Sequence, residues 1–164
     1  GVNSTPSITR VTLWGSFSKR AMGPRLRLRV NVPRSGAMNR EISPHSIAPP
    51  AANYALAMVT EQPQRTLYTS GIVPVAPDGS VPQSLRDQAE VVWANLLAIV
   101  AEAGMTLTDI VSITTYVIDG EPLAEVMAAR DRALQGHRAA STLITVPALA
   151  QPAWRMEIAL VAAQ

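Results

Sequence analysis

The order of secondary-structure signals, β-α-β-α-β-β, predicts an α/β (α+β) fold in which two helices pack on one mixed sheet. Three observations carry this reading. Residues 84 to 104 repeat apolar side chains every three or four positions, residues 109 to 118 and 154 to 163 are runs of strand formers, and Gly104, Gly120 and Gly136 punctuate the chain between them.

Taken in order, "RTLYTSGIVPV" (65 to 75) reads as a strand closed by "APDGS", where Asp78-Gly79 supplies the backbone freedom of a tight turn. The helix "SLRDQAEVVWANLLAIVAEAG" (84 to 104) opens with Ser84 and Asp87 at capping-box-like spacing and ends on Gly104. Leu85, Ala89, Val92, Leu96, Ile99, Val100 and Ala103 draw its apolar face. "DIVSITTYVI" (109 to 118) is a second strand and Asp119-Gly120 a turn. "EPLAEVMAARDRALQG" (121 to 136) is a second helix, with Arg130 at the edge of its buried side. "STLITV" and "WRMEIALVAA", separated by "PALAQPA", supply two more strands. In the last, Trp154, Met156, Ile158 and Leu160 alternate with Arg155, Glu157, Ala159 and Val161.

The chain has 164 residues, enough for one substantial core and too few for two ordinary domains, so one domain plus an appendage is expected. Apolar residues make up 48% and charged residues 16%, with no apolar run near the ~18 residues of a membrane span, so a cytoplasmic protein without a membrane partner is expected. The chain contains no cysteine, which removes disulfides, thiolate catalysis and cysteine-bound zinc or iron–sulfur sites together.

Charge divides the chain more sharply than its net +2 suggests. Residues 1 to 40 hold eight basic residues and no acid, whereas residues 41 to 164 hold six arginines against twelve acids, a net −6. Two segments follow: a basic N-terminal extension, 1 to 40, and a domain, 41 to 164. An over-extended reading frame with internal starts at Met22 or Met38 is the preferred account of the extension. A targeting or nucleic-acid role, or a structural one, is the alternative. "RLRLRVNV" (25 to 32) alternates in a way that suits an edge strand.

Several chemistries are disfavoured by residue type. Lys19 is the sole lysine, and neither GxxxxGK[ST] nor GxGxxG occurs, which argues against Schiff-base and nucleotide-phosphate chemistry. His45 and His137 are the only histidines and show no metal-ligand spacing. His137 and Ser141 lie four positions apart, ~13 Å along an extended strand, too far for a nucleophile and its base. Glu157 is the informative residue: a carboxylate in a strongly apolar terminal strand requires a partner or a cleft, and suits a general acid/base holding water.

"APPAANYALAM" (48 to 58), "LYTSGIVPVAPDGSV", "QAEVVWANLLAIVAEAGMTLTDIVSITTYV" and "EIALVAA" occur in an order and spacing that resemble the reactive intermediate deaminase family, also called Rid, YjgF or L-PSP endoribonuclease-like. The resemblance runs from about Ala48 to Ala163. It implies a chorismate-mutase-like (bacillus type) two-layer sandwich, with two helices on one face of a mixed sheet of about six strands. It also implies a homotrimer with a central barrel and ligand clefts between subunits. The implied activity is hydrolysis of enamine and imine intermediates to ketoacids and ammonia, with no metal or other cofactor.

Carried over one residue at a time, Tyr54 matches the tyrosine of the family's "G-P-Y-S" segment, although "AANYALA" lacks the usual serine. Gly71 in "TSGIVP" matches a glycine whose backbone borders the cleft, and Asn95 in "WANLLA" matches the asparagine of "ENL". Glu157 matches the glutamate that positions or activates the attacking water. The departure is in "HRAAST" (137 to 142). Family deaminases read "P-A-R-S/T" there, and their arginine binds the substrate carboxylate. Aligned with that motif, Ser141 takes the arginine's place and Thr142 the final hydroxyl. A serine lacks the bidentate grip of a guanidinium, so deamination is expected to be weak and Ser141→Arg to raise it.

Two other arginines are candidates for the missing charge. Arg138 is three residues from Ser141 and is expected on the opposite face, whereas Arg155, two residues before Glu157, is expected on the glutamate's face as a displaced anion clamp. The leading expectation is a trimer binding a small carbonyl, enamine or imine metabolite. A non-catalytic ligand-binding or regulatory trimer is the alternative. RNA binding or cleavage ranks last, because the domain's charge of −6 opposes it unless the basic extension contributes.

Overall fold

The computed structural model describes residues 38–164; the alternating segment 25 to 32 and the rest of the basic extension before residue 38 lie outside the described residues. Six strands and two helices follow in the order β1 (Met38–Ile42), β2 (Ala57–Glu61), β3 (Thr66–Tyr68), α1 (Leu85–Glu102), β4 (Ile110–Ile118), α2 (Leu123–Leu134), β5 (Ala140–Val146) and β6 (Met156–Ala163). No helix among the described residues is long and apolar enough to cross a membrane.

α1 begins where Ser84 leaves extended backbone. Its Oγ accepts the Asp87 amide at 3.1 Å and donates to Asp87 Oδ2 at 2.7 Å, which satisfies one of the helix's free N–H groups. It ends at Gly104, whose φ of +69° turns the chain back so that the Met105 amide reaches the Val100 carbonyl at 3.0 Å. The start of β4 is set by a capping box, Thr106 with Asp109, on a single turn of 3₁₀ helix.

β3, β6, β4 and β5 form a four-stranded mixed sheet in that order, while β1 and β2 form an antiparallel pair. β4 and β5 are parallel, joined over the sheet by α2, and β6 runs antiparallel to β4. One face of the sheet is the core: Ile113 and Val117 of β4 and Met156, Ile158, Leu160 and Ala162 of β6 pack under Leu85, Val92, Trp93 and Leu96 of α1 and Val126 of α2. The opposite face is only partly covered, and it presents Tyr68 at 74% and Ile144 at 41% exposure.

Three features depart from the sequence expectation. β1 and β2 were not read as strands; each has five residues, and their pairing spans a long loop, so neither carries a strong local pattern. β1 is tied to the end of β6 by Asn39 Nδ2, which donates to the Ala163 carbonyl at 2.8 Å. The expected strand 65 to 75 is broken into β3 and an isolated bridge at Ile72. The break follows from Thr69: its Oγ1 accepts the Leu160 amide at 2.9 Å, a bond that a backbone carbonyl would otherwise accept in the ladder.

The approach to β6 is held by one buried polar side chain. Gln88 of α1, 1% exposed, donates through Nε2 to the carbonyls of Pro82 and Ala153, both at 2.8 Å, and accepts the Arg155 amide on Oε1 at 2.9 Å. Two of its three hydrogen bonds go to the loop that launches β6 and the third to the segment that leads into α1. Gln88→Leu would leave three backbone groups without partners, so a loss of roughly 2–4 kcal/mol is expected. Chemical denaturation checks this, with Gln88→Glu as the polar comparison.

Candidate functional site

Glu157 reaches the open face of the sheet because its neighbours Met156 and Ile158 are committed to the core. Beyond β3, the chain continues along the same edge of β6. The Thr69 amide donates to Leu160 O at 3.1 Å, and Ile72 exchanges both backbone bonds with Ile158, at 2.7 and 3.1 Å. Gly71 therefore lies beside β6 on the glutamate's side. A Cβ there would fall 1.6 Å from Glu157 Oε1 and 2.5 Å from its carboxyl carbon. The glycine leaves the space that the carboxylate occupies, and any side chain there would displace it.

Glu157 makes no ion pair and Gly71 N–H makes no hydrogen bond among the described residues. A backbone donor and a carboxylate acceptor thus lie together on one edge, which can address a small polar ligand at two points. Behind this segment, Gly71, Ile72, Val73, Val75, Asn95 and Ile99 line a groove of ≈ 400 Å³. Asn95 Nδ2 donates to the Val75 carbonyl at 2.9 Å, so its amide fixes the segment that carries Gly71.

A second group of residues forms at the far edge of the sheet. Ala55, 1% exposed, donates its amide to Ala139 O at 2.9 Å and bridges β5 at Ala140. This brings Tyr54 to the start of β5, where its carbonyl accepts from both Nε and Nη2 of Arg138. Arg138 Nη2 also lies 3.0 Å from Glu41 Oε1 on β1.

Register decides which residues of β5 share the glutamate's face. Ser141 pairs with Ile113 and Leu143 with Thr115, so both are on the helix side; Ala140, Thr142 and Ile144 pair with Ser112, Thr114 and Tyr116 on the open side. Ser141, aligned with the substrate-gripping arginine, therefore lies on the opposite face from Glu157, while Thr142 is on the same face. Arg155 precedes β6, and its Nε pairs with Glu121 Oε1 at 3.4 Å beside the turn after β4. His137, from the same stretch as Ser141, is held by Ile110 O at 2.7 Å. Sequence reading passed over Arg138 because it placed that residue opposite Ser141; the register makes the same parity an argument for it.

Glu157 pairs with Tyr116, and Ala140 with Ser112, which pairs with Val161. Four residues along the sheet and two strands across, Ala140 and Glu157 are roughly 16 Å apart. The Gly71–Glu157 group and the Tyr54–Arg138 group thus stand toward opposite edges of the sheet, the latter held there by the Tyr54 carbonyl and Glu41.

Two helices on one face of a mixed sheet, with the other face open, place the protein in the class of two-layer α+β sandwiches. The chain belongs to the family described as Endoribonuclease L-PSP, whose profile matches residues 45–164. Its fold is the chorismate-mutase-like sandwich of the Rid/YjgF proteins. A crystal structure of the Rid-family protein YyfB from Yersinia pestis superposes with a TM-score of 0.71 at 32% identity, covering 77% of this chain and 98% of that one. Escherichia coli TdcF, whose name carries the reactive intermediate deaminase assignment, is 32% identical over 74 residues, 44% of this chain. The match spans only 57% of TdcF's length. Mitochondrial MMF1 of Saccharomyces cerevisiae is 31% identical over 105 residues, covering 63% of this chain and 70% of its own. A structure of TdcF with bound serine superposes with a TM-score of 0.57 at 26% identity, covering 72% of this chain and 90% of that one.

Gly71→Ala is expected to force the Glu157 side chain into another rotamer with little change in melting temperature, because the obstructing atoms belong to a flexible side chain. A crystal structure of the variant with the carboxylate unmoved would contradict the contact. The register also revises one expectation: Ser141→Arg sends a guanidinium to the helix side and is expected to lower the melting temperature without raising turnover.

Proposed function

We propose that this protein is a Rid-type homotrimer that binds a small carbonyl, enamine or imine metabolite in clefts between subunits. There it hydrolyses 2-imino acids slowly, with Glu157 handling the water and no cofactor. The observation that carries the reading is the pairing of Gly71 and Glu157, a free N–H beside an unpaired carboxylate, at the position where the family resemblance expects the cleft. The roughly 16 Å that divides this group from Tyr54 and Arg138 supports a cleft completed by a second copy. The half-open sheet face, with Tyr68 and Ile144 exposed, supports the association. That TdcF has been solved with serine bound supports an amino-acid-sized ligand.

In the proposed reaction the Glu157 carboxylate takes a proton from a water as its oxygen attacks the carbon of the protonated imine, and a neutral carbinolamine forms. The protonated Glu157 then returns that proton to the amine nitrogen. The carbon–nitrogen bond breaks, the hydroxyl loses its proton to become the ketone, and ammonia leaves as ammonium. Gly71 N–H is placed to hold the ligand while this occurs.

A second reading, ligand binding without turnover, is favoured by one observation: the residues of β5 on the glutamate's side are Ala140, Thr142, Ile144 and Val146, none of them a cation. The two readings are separated by generating 2-iminopropionate with an amino-acid oxidase and following ammonia release. Slow release that falls at least tenfold in Glu157→Gln supports hydrolysis. Thermal stabilisation by pyruvate with no release, unchanged by Glu157→Gln, supports binding alone. Sedimentation should give three chains per particle, and Tyr68→Asp should shift the particle toward monomer.

A further inference from the structure

Arg138 is the one guanidinium in the described residues held at the start of β5, and its surroundings differ from those of a surface charge. Ala139, 2% exposed, lies in the core, so Arg138 and Ala140 flank it on the side away from the helices. The Tyr54 carbonyl accepts from Nε and Nη2, which occupies the lateral edge of the guanidinium and fixes its plane. The end-on edge, Nη1 with Nη2, is left with a single contact: Glu41 Oε1, 3.0 Å from Nη2. Nη1 makes no hydrogen bond among the described residues. The side chains of Arg138 and Glu41 remain 35% and 30% exposed, so solvent reaches the pair.

An end-on fork pre-oriented by a backbone carbonyl matches a carboxylate bidentately, and Glu41 uses it through one oxygen only. We propose that Arg138 binds the carboxylate of a 2-oxo or 2-imino acid, and that Glu41 occupies this position until the ligand displaces it. The substrate class is therefore anionic, and Arg138 supplies the positive charge that Ser141 lacks. Tyr54 acts through its backbone carbonyl as the residue that positions the guanidinium. The inference rests on the cleft reading above, in which the Gly71–Glu157 group of a second copy faces this edge.

Binding of pyruvate and of pyruvamide, its uncharged analogue, to the full chain by isothermal titration tests the proposal. Wild-type protein should prefer pyruvate. Arg138→Gln should weaken pyruvate roughly tenfold or more and leave pyruvamide unchanged, with Arg138→Lys between the two. Glu41→Gln, which removes the competing carboxylate, should tighten pyruvate by roughly three- to tenfold, a change that a merely structural ion pair would not produce. Tight pyruvate binding by wild type that survives Arg138→Gln, or is unmoved by Glu41→Gln, overturns the role of Arg138 while leaving the cleft reading intact. Failure of wild type to bind either compound overturns both. Should Arg138→Gln not fold, the Glu41→Gln comparison alone decides.

Discussion

A β-strand cannot turn two successive side chains to the same side, and β6 makes this constraint the basis of the molecule. Met156, Ile158, Leu160 and Ala162 fill the core under α1, so Glu157 must face the other way. Each large apolar side chain buried there contributes about 1.5–3 kcal/mol. A slip of one residue would lose these contributions and bury an unpaired carboxylate as well. The carboxylate is thus held outside by the packing of its neighbours. Gln88 then fixes the approach to the strand, and Gly71 provides the flat backbone against which the carboxylate rests.

The same sheet separates what a ligand would need to have together. With the strands in the order β3-β6-β4-β5, Glu157 and Gly71 sit toward one edge and Tyr54 and Arg138 at the other. The backbone spacing of roughly 16 Å between Ala140 and Glu157 is longer than a metabolite of a few atoms. The proposed association of copies would answer this, because one chain can offer both edges and let each meet the opposite edge of a neighbour. Under the proposed function, activity and assembly become one property, and a variant at the interface would resemble a variant at the site.

How much of this was legible in the sequence depended on the range of the interactions. α1 and its caps, α2, β4 and β6 are written in local periodicity and in glycines at turns, and they sit within a residue or two of expectation. β1 and β2 are short and pair across a long loop, and the break after β3 depends on the Thr69 hydroxyl reaching Leu160, so no local pattern announces them. Glu157 was readable because a charge interrupts an apolar strand. The face of β5 was not, since parity within a strand is fixed only relative to a residue of known direction. Ser141 was taken as that reference, and pairing with Ile113 turned it over, reversing the standing of Arg138.

The central claim is that the site is divided between copies, and mixing tests it most directly. Glu157→Gln and Arg138→Gln, each impaired roughly tenfold or more as a pure oligomer, are unfolded together and reassembled in equal amounts, and ammonia release is followed at 2-iminopropionate concentrations well below saturation. The account predicts recovery of about a quarter of wild-type turnover, since that share of random interfaces joins an intact Glu157 to an intact Arg138. A mixture that reassembles fully and stays as impaired as the pure variants, beside active wild-type protein treated identically, would contradict it.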